Sequence, residues 1–455
     1  MISSLSKKHF QDLKEIVGED NIFVDPAHLS VYSFDSTRLE KLPDCVVFPR
    51  SEEEIVEIVR YANLHQIPIT PRGAGSGMSG GSINSGIILA LQKHLNQILE
   101  IDEENLCAVV QPALINADLN KALKVHNLFF PPDPASSSFS TVGGNIAENA
   151  GGMSAIKYGV SKDNVLSMRV VLGSGELIEV GHRTYKDVAG YDLLGILCGS
   201  EGTLGIISQL TLKLKPLPKC STSVLICFAN IRDLSRTASK ILLSGITPYA
   251  MEFLDSLTIG ALNQKYQIYP SEAEAVLIVK LTSNTQASLN EELEEIRKLS
   301  LSSVIFQEAK DAQEEEKIWF GRKNASQANS IYGIKKLNED ITLPRSRVAE
   351  FLEAKQEIGE KYDFAIPCFG HIGDGNIHTN VMLKDLRDLH KGYEAVRELF
   401  EITISLGGTL SGEHGIGLTK ASFMPLAFSQ AHLELFRKIK KSFDPLGILN
   451  PHKIF

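Results

Sequence analysis

The sequence predicts an α+β protein of at least two domains, and three observations support this. Its 455 residues correspond to two or three domains of roughly 100–200 residues each. Short apolar strands and glycine clusters dominate the first 217 residues, whereas alternating strand and helix patterns follow them. Pro216-Leu217-Pro218 marks the boundary, because proline disfavours both helices and central strands.

The first domain opens with a predicted β-α-β unit. Residues 45–48 and 67–70 are its apolar strands. Ser51 and Glu54 have the spacing of a capping box at the start of the helix between them. One face of that helix is apolar, with Ile55, Ile58, Val59 and Ala62. Further strands are predicted at residues 86–91, 107–111 and 206–214, and a hairpin at residues 165–172 and 176–180.

The second domain has a different rhythm. Strands are predicted at residues 223–228, 250–254 and 276–281, and helices at residues 231–244 and 289–299. This alternation predicts an antiparallel sheet with helices on one of its faces.

Composition excludes several classes of protein. The chain has 46 Lys and Arg against 55 Asp and Glu, a net charge of −9, which disfavours a general nucleic-acid binder. No apolar run approaches the ~20 residues that a membrane-spanning helix needs. The six cysteines are scattered without CxxC spacing, and nothing indicates secretion. We therefore expect reduced thiols and a cytoplasmic protein.

Three glycine clusters indicate a long ligand. In the first, residues 71–82, Gly75, Gly77 and Gly80 match the G-x-G-x-x-G pattern of dinucleotide-binding folds. A Rossmann turn leads directly into a helix, but this loop leads into a short strand. We therefore interpret it as a nest of backbone N–H groups that a pyrophosphate can approach. Residues 141–152 and 199–205 form the other two clusters.

A second motif, residues 370–380, predicts a metal site. Residues 373–376 are rich in turn-forming types and separate strand-like residues 364–372 and 377–383. In a hairpin with a four-residue loop His371 faces His378, with Cβ atoms about 5 Å apart, and Asn380 shares their face. Glu413 is the candidate third ligand. Two histidines and a carboxylate suit zinc, iron or manganese.

With these motifs in this order, the sequence resembles the FAD-linked oxidases of the vanillyl-alcohol-oxidase, or PCMH-type, superfamily. It is most similar to the branch of glycolate oxidase flavin subunits, D-lactate dehydrogenases and D-2-hydroxyglutarate dehydrogenases. The resemblance implies a two-subdomain PCMH-type FAD-binding domain at residues 1–217. It also implies a ferredoxin-like substrate and metal-binding cap domain with an antiparallel sheet at residues 218–410. Residues 411–455 then return to the flavin.

The resemblance also implies how FAD is held. Some relatives attach FAD through a histidine where this chain has Ser76, so non-covalent FAD is expected. Lys453 is an expected neighbour of the flavin ring. The implied FAD-binding residues are Pro71, Arg72, Gly73, Ala74, Gly75, Ser76, Gly77, Pro132, Asp133, Thr141, Gly143, Gly144, Asn145, Gly151, Gly152, Glu201, Gly202, Gly205, Ile206 and Asn450.

The implied substrate site uses the second motif. A divalent metal (zinc, manganese or iron) is expected on His371, His378 and Glu413. By the same resemblance Arg322 clamps the substrate carboxylate in bidentate fashion, with the Ser326 hydroxyl one turn later. His414 lies near the substrate hydroxyl and takes its proton, and Asn380 lines the pocket. Relatives that act on dicarboxylates carry a lysine where this chain has Asn338, which favours small substrates, although Lys335 and Lys336 lie close by.

These features predict an FAD-dependent dehydrogenase that oxidises a small 2-hydroxy acid, glycolate or D-lactate, to the 2-oxo acid. The chain offers no iron–sulfur, haem or nicotinamide site of its own. A separate iron–sulfur subunit or a quinone is therefore the expected electron acceptor, and any contact with the inner membrane is expected only through such a partner. Two alternatives remain open from the residues: a non-catalytic FAD-binding subunit of a larger oxidase, and a metal-dependent hydrolase.

Overall fold

The computed structural model describes residues 5–455, which divide into two compact units. Unit 1 comprises the described residues of Met1–Gly152 together with Tyr158–Leu217 and Glu413–Phe455. Unit 2 comprises Met153–Lys157 and Pro218–Gly412. The first four residues of the predicted FAD-binding domain lie outside the described residues. The assignment of FAD to one unit and substrate to the other stays a prediction.

Unit 1 contains three sheets and short helices. Its strands are β1 (Ile22–Phe23), β2 (Cys45–Val47), β3 (Ile69–Arg72), β4 (Ile87–Ala90), β5 (Ile98–Asp102), β6 (Cys107–Val110), β7 (Leu128–Phe129), β8 (Val165–Val171), β9 (Leu177–Gly181), β10 (Ile206–Lys213) and β11 (Lys215–Pro216). Its helices are α1 (Lys7–Val17), α2 (Pro26–Val31), α3 (Glu52–His65), α4 (Asn116–Leu123), α5 (Val142–Glu148), α7 (Leu193–Leu197), α14 (Met424–Ala427) and α15 (Gln430–Phe443). Helix α6 (Ala155–Tyr158) lies where the chain passes between the units.

The two larger sheets of unit 1 form two subdomains. The first has the order β1-β2-β4-β3, in which β4 pairs in parallel with both β2 and β3. The second is antiparallel, with the order β5-β6-β10-β8-β9. Each sheet has its own apolar cluster, one around α3 and one around α4 and α5. The predicted β-α-β unit and the predicted hairpin β8–β9 are both confirmed.

The cap of α3 differs in one detail from the prediction. Ser51 accepts the N–H of Glu54 as expected, and the predicted apolar face is buried. The Glu54 carboxylate, however, accepts the backbone N–H of Arg50 at 2.7 Å and not that of Ser51. The second half of the predicted capping box is therefore wrong, because Arg50 offers both a backbone donor and a guanidinium to the same carboxylate.

The C-terminal segment packs into unit 1. Ile69 on β3 donates to the backbone oxygen of Ile448, and Asn450 donates back to Ile69 at 2.8 Å. Leu449 thereby forms a parallel bridge with Ile69. The return of the C-terminus to the first domain, which the family resemblance implied, is confirmed.

Unit 2 is built on one seven-stranded sheet. Its strands are β12 (Cys220–Phe228), β13 (Ala250–Leu254), β14 (Ala275–Ser283), β15 (Ile305–Glu308), β16 (Lys335–Thr342), β17 (Cys368–His371) and β18 (Asn376–Leu383). Its helices are α8 (Ile231–Leu243), α9 (Ser256–Tyr266), α10 (Gln286–Leu299), α11 (Ala312–Ala328), α12 (Val348–Tyr362) and α13 (Leu389–Ser405).

The sheet of unit 2 has a ferredoxin-like half and an extension. Its order is β15-β12-β14-β13-β17-β18-β16, and every pairing is antiparallel. The first four strands, with α8 and α10 as crossovers, have the 4-1-3-2 order of a β-α-β-β-α-β fold. Strands β17, β18 and β16 extend the edge at β13. The predicted antiparallel α+β domain is confirmed.

The prediction of helices on a single face is wrong. Helices α8 and α10 contact β12 and β14 on the face expected for ferredoxin-like crossovers. Buried side chains of α9 and α11 form an apolar cluster with Leu225, Leu254, Ile278 and Phe369. These four residues alternate with the side chains of the crossover face, so α9 and α11 cover the other face.

Among the described residues, no helix is long and apolar enough to cross a membrane.

Candidate active site

The hairpin β17–β18 carries both predicted metal-binding histidines, with a register that differs from the prediction. His371 pairs with Asn376, and His378 pairs with Phe369. The loop therefore comprises residues 372–375, one residue earlier than predicted, and His371 does not face His378 directly. Gly375 has a φ of 84°, and its N–H donates to the backbone oxygen of His371 at 3.0 Å, which closes the loop at this point.

The shift leaves the two histidines on the same face. The pairing moves by two residues, and because side chains alternate with a period of two, their face is unchanged. The imidazole centroids of His371 and His378 are 5.4 Å apart, with the rings at 77°. Both side chains are buried. The predicted chelating pair thus forms diagonally instead of directly across the hairpin.

Glu252 on β13 organises this face, and the sequence analysis did not identify it. Its Oε1 lies 2.5 Å from Nδ1 of His371, and its Oε2 accepts Nε–H of Arg322 at 2.6 Å. The Glu252 side chain is completely buried. Burial alone would raise the pKa of this carboxyl group, but the charges and hydrogen bonds of His371 and Arg322 outweigh it and lower the pKa. Glu252 is therefore an anion that orients the Arg322 guanidinium and the His371 imidazole.

Arg322 reaches this carboxylate from helix α11. Its guanidinium lies 4.9 Å from the ring centroid of Phe369, and its side chain is 15% exposed. Among the described residues, its Nη1 and Nη2 groups donate to no protein acceptor. Its Nε–H is committed to Glu252, so a pair of coplanar donors is left for a carboxylate.

The neighbouring strands add polar side chains to the same face. Asn338 pairs with Asn380, and Asp340 pairs with His378. Asn380 is buried, donates to the backbone oxygens of Pro367 and His378, and has no described partner for its Oδ1. Such an orphaned buried acceptor is expected where a ligand group completes the site.

Lys336 also belongs to this face, two residues before Asn338. Its Nζ donates to Oγ of Ser326 at 2.8 Å, and Ser326 lies one turn after Arg322 on α11. Burial lowers the pKa of Lys336. Lys336 therefore places an ammonium group near Arg322, the predicted carboxylate-binding residue, although position 338, where some relatives carry a lysine, is Asn338 in this chain.

Glu413 is the third predicted metal ligand. It is the first residue of the C-terminal part of unit 1, whereas His371 and His378 belong to unit 2. Glu413 directly follows Gly412, whose N–H donates to the Asp340 carboxylate at 2.9 Å. Because Nδ1 of His371 bonds to Glu252, its Nε2 is the atom for a metal, as in carboxylate–histidine–metal triads. Two histidines and a carboxylate are donor types that fit a divalent ion.

His414 follows as the last predicted member of this group. Its Nε2 lies 3.9 Å from Oε1 of Glu413, and its side chain is 16% exposed. The segment thus presents an imidazole next to the carboxylate of the candidate metal centre.

The first glycine loop of unit 1 has the expected nest of donors. Among the described residues, the backbone N–H groups of residues 73–79 donate to no protein acceptor. Arg72 does not extend into this loop. Its guanidinium donates to the backbone oxygens of Phe34 and Ser82 at 2.8 and 3.2 Å, so it supports the loop from behind. The loop therefore offers backbone donors to an anionic ligand such as a pyrophosphate.

The second glycine cluster contacts the first. A Cβ on Gly73 would lie 2.2 Å from Oγ1 of Thr141, so these segments can approach only because Gly73 lacks one. Thr141 caps α5 by accepting the N–H of Gly144 at 3.3 Å. Asn145 on this helix is buried, and its Nδ2 has no described partner. The donors and the close backbone approach fit a dinucleotide such as FAD.

The remaining predicted FAD residues lie in the same unit. Asn116 donates to the backbone oxygen of Pro132. Four of the glycines lie close to a neighbouring residue, which a Cβ atom at the glycine would contact. These pairs are Gly143 with Pro112, Gly151 with Glu413, Gly152 with Asp133, and Gly205 with Val170. Ile206 starts β10. Residues 74–77 lie in the first glycine cluster, and Gly202 lies in the third.

Asn450 and Lys453 connect the C-terminus to these loops. The Asn450 amide donates to the backbone oxygens of Gly81 and Glu201 at 2.8 and 2.7 Å. Lys453 is buried and donates to the backbone oxygen of Ile83 at 2.8 Å. Burial and the nearby charge of Lys41 lower its pKa to about 8.

Most of the chain is similar to known FAD-linked proteins. Residues 217–454 match the family model of FAD linked oxidases, C-terminal domain, and residues 43–181 match that of the FAD binding domain. The chain is 38% identical to glycolate oxidase subunit GlcD of Bacillus subtilis, over 99% of this chain and 97% of that protein. It is 34% identical to D-lactate dehydrogenase of Anaerostipes hadrus, over 97% and 94% respectively.

A solved structure shows the same fold at lower identity. Crystalline p-cresol methylhydroxylase with substrate bound is similar with a TM-score of 0.82 and 17% identity. The match covers 99% of this chain and 97% of that one.

Proposed function

The chain belongs to the family of FAD-linked oxidases, and from that premise we propose that it oxidises a small 2-hydroxy acid, glycolate or D-lactate, to the 2-oxo acid. The bridge made by Glu252 carries the proposal. One buried carboxylate holds Arg322, a carboxylate-binding group, and His371, a metal-binding group, on the same sheet face. A 2-hydroxy acid presents a carboxylate and a hydroxyl on neighbouring carbons, which suits two such groups side by side.

The residues of unit 1 hold the redox cofactor in this proposal. The unpartnered N–H groups of residues 73–79 and the Asn145 amide donate to FAD, which when bound accepts the hydride of the substrate. FAD is bound without a covalent link, since Ser76 cannot form the histidyl bond.

The residues around His371 prepare the substrate hydroxyl. His371, His378 and Glu413 hold a divalent ion, zinc, manganese or iron, which lowers the pKa of a hydroxyl that it binds. Arg322 fixes the substrate carboxylate through Nη1 and Nη2, and Phe369 supports the guanidinium. His414 accepts the hydroxyl proton on its imidazole, and the orphaned Oδ1 of Asn380 accepts a hydrogen bond from the substrate.

The electrons that bound FAD would take up need a separate acceptor. We propose a cytoplasmic dehydrogenase that passes them to an iron–sulfur subunit or a quinone. The name of the Bacillus subtilis relative, a subunit, supports a partner. The expected result is rapid turnover with artificial dyes and slow reoxidation by oxygen. Stopped-flow mixing of substrate-reduced enzyme with air-saturated buffer checks this, and reoxidation as fast as dye-linked turnover would contradict it.

A second candidate substrate class follows from Lys336. Its ammonium lies on the sheet face of the site and beside Ser326, where a second carboxylate of a substrate such as D-2-hydroxyglutarate would bind. Lys336→Gln then lowers kcat/KM for the dicarboxylate and leaves that for glycolate unchanged. Equal effects on both substrates would remove this candidate.

Anaerobic bleaching of the flavin tests the proposed function directly. A panel of D- and L-2-hydroxy acids is mixed with the purified protein, and absorbance near 450 nm is followed. We expect bleaching by glycolate or D-lactate at a rate that Arg322→Lys slows. A flavin that no 2-hydroxy acid reduces would favour the non-catalytic subunit, and a protein without flavin would favour the hydrolase.

A further inference from the structure

The side chain of Glu201 is bonded to the segment that carries two of the proposed active-site residues. Its Oε1 accepts the N–H of Ile416 and its Oε2 accepts the N–H of Gly417, each at 2.7 Å. The residue is 6% exposed. Both carboxylate oxygens are therefore directed at the backbone immediately after Glu413 and His414, which lie in unit 1 with it.

Two glycines shape this segment. Gly415 and Gly417 have φ values of 82° and 48°, a region that favours glycine. A Cβ on Gly415 would lie 2.1 Å from Oε2 of Glu148 and 3.1 Å from Oε1 of Glu201. The glycine thus lets the segment approach two carboxylates closely.

Two further contacts hold the two sides of this arrangement, one on the segment and one on the backbone of Glu201. The N–H of Leu418 donates to the backbone oxygen of Ser79 at 2.7 Å. Asn450 donates to the backbone oxygen of Glu201, and Glu201 itself has a φ of 53°. Glu201 therefore has its backbone held by the C-terminal segment and its carboxylate committed to residues 416–417.

We propose that Glu201 is a positioning residue, which holds residues 413–417 so that Glu413 can bind the metal and His414 can face the substrate. The proposal rests on the proposed function for the roles of Glu413 and His414. It differs from the role that the family resemblance implied, in which Glu201 holds FAD. Each carboxylate oxygen already accepts a backbone donor from residues 416–417, so the role proposed here is the one that the observed contacts of the side chain support.

Glu201→Gln in the FAD-loaded full-length protein tests this. A carboxamide has one acceptor oxygen, so its NH₂ group faces the N–H of either Ile416 or Gly417, leaving a buried donor unpaired. We expect faster amide hydrogen exchange in peptides covering residues 413–417, and Zn²⁺ affinity reduced by roughly tenfold. FAD affinity stays within about twofold of the parent value. Glu176→Gln, at an exposed position of the same unit, is the matched control.

Three results would overturn the proposal. They are unchanged exchange at residues 413–417, a loss of FAD affinity without faster exchange, and an equal change in the control. If Glu201→Gln does not fold, Glu201→Asp, which keeps the charge but withdraws the oxygens, is measured in the same way. A parent protein that binds no Zn²⁺ would contradict the metal in the proposed function, whereas hydrogen exchange would still decide the role of Glu201.

Discussion

The two candidate binding regions are built from different parts of the chain. The sheet face of unit 2 presents side chains from regular elements: Glu252 from β13, Arg322 from α11, and His371 and His378 from the hairpin β17–β18. The first glycine cluster of unit 1 presents backbone N–H groups from a loop, and the Arg72 side chain supports that loop from behind. Single substitutions should therefore damage the first region far more than the second.

The largest expected effect follows from His378→Ala. The variant removes one of the three proposed metal ligands and changes no residue of unit 1, so turnover is abolished while FAD stays bound. Metal analysis, absorbance of bound flavin and dye-linked activity check the two halves separately. His390→Ala, at a side chain that is 89% exposed, is the control. Full activity in the presence of a chelator would refute the metal centre.

Glu252→Gln is expected to come next. The amide is the same size but leaves the Arg322 guanidinium and the His371 imidazole without the buried anion that both contact. We expect kcat/KM to fall by about 10–100-fold and the free energy of unfolding to fall by about 1–3 kcal/mol. Urea denaturation and steady-state kinetics measure these, with the exposed Glu291→Gln as control. A variant with lower stability but normal kinetics would make Glu252 a structural residue only.

Arg322→Lys separates substrate binding from metal binding. Lysine keeps the charge but loses the planar fork of donors, so KM for the best 2-hydroxy acid rises by about 10–100-fold. Metal content stays that of the parent. Arg236→Lys, at a side chain that is 72% exposed, controls for the change of residue type. Unchanged KM would show that Arg322 does not contact the substrate.

The smallest effect is expected in unit 1, from Thr141→Ala. The variant loses the cap on Gly144 at the start of α5, a loss of about 1 kcal/mol. FAD affinity falls a few-fold, while kcat of the FAD-loaded fraction is unchanged because the backbone donors remain. Titration of the apoprotein with FAD measures this, with the exposed Thr184→Ala as control. A loss as large as that of His378→Ala would break the contrast between the two regions.

Local patterns in the sequence determined much of this protein. The capped, apolar-faced helix α3, the hairpin β8–β9 and the glycine loop that ends in a strand all depend on residues close in the chain. Motifs in a fixed order were also sufficient for the family, since the comparisons confirm the resemblance. The shared face of His371 and His378 followed from the period of two along a strand.

Tertiary structure alone decided which distant polar groups meet. Glu252 lies 119 residues from His371 and 70 from Arg322, and a carboxylate inside the apolar strand 250–254 was the only local signal for it. Strand order places β13 beside β17, which no local pattern specifies. Packing likewise put α9 and α11 on the second face, and closure of the loop at Gly375 moved the hairpin register. A buried charge needs a partner, but the sequence does not say which one. The fold brings Glu201 to Ile416 and Gly417, which are separated from it by 215 and 216 positions in the chain.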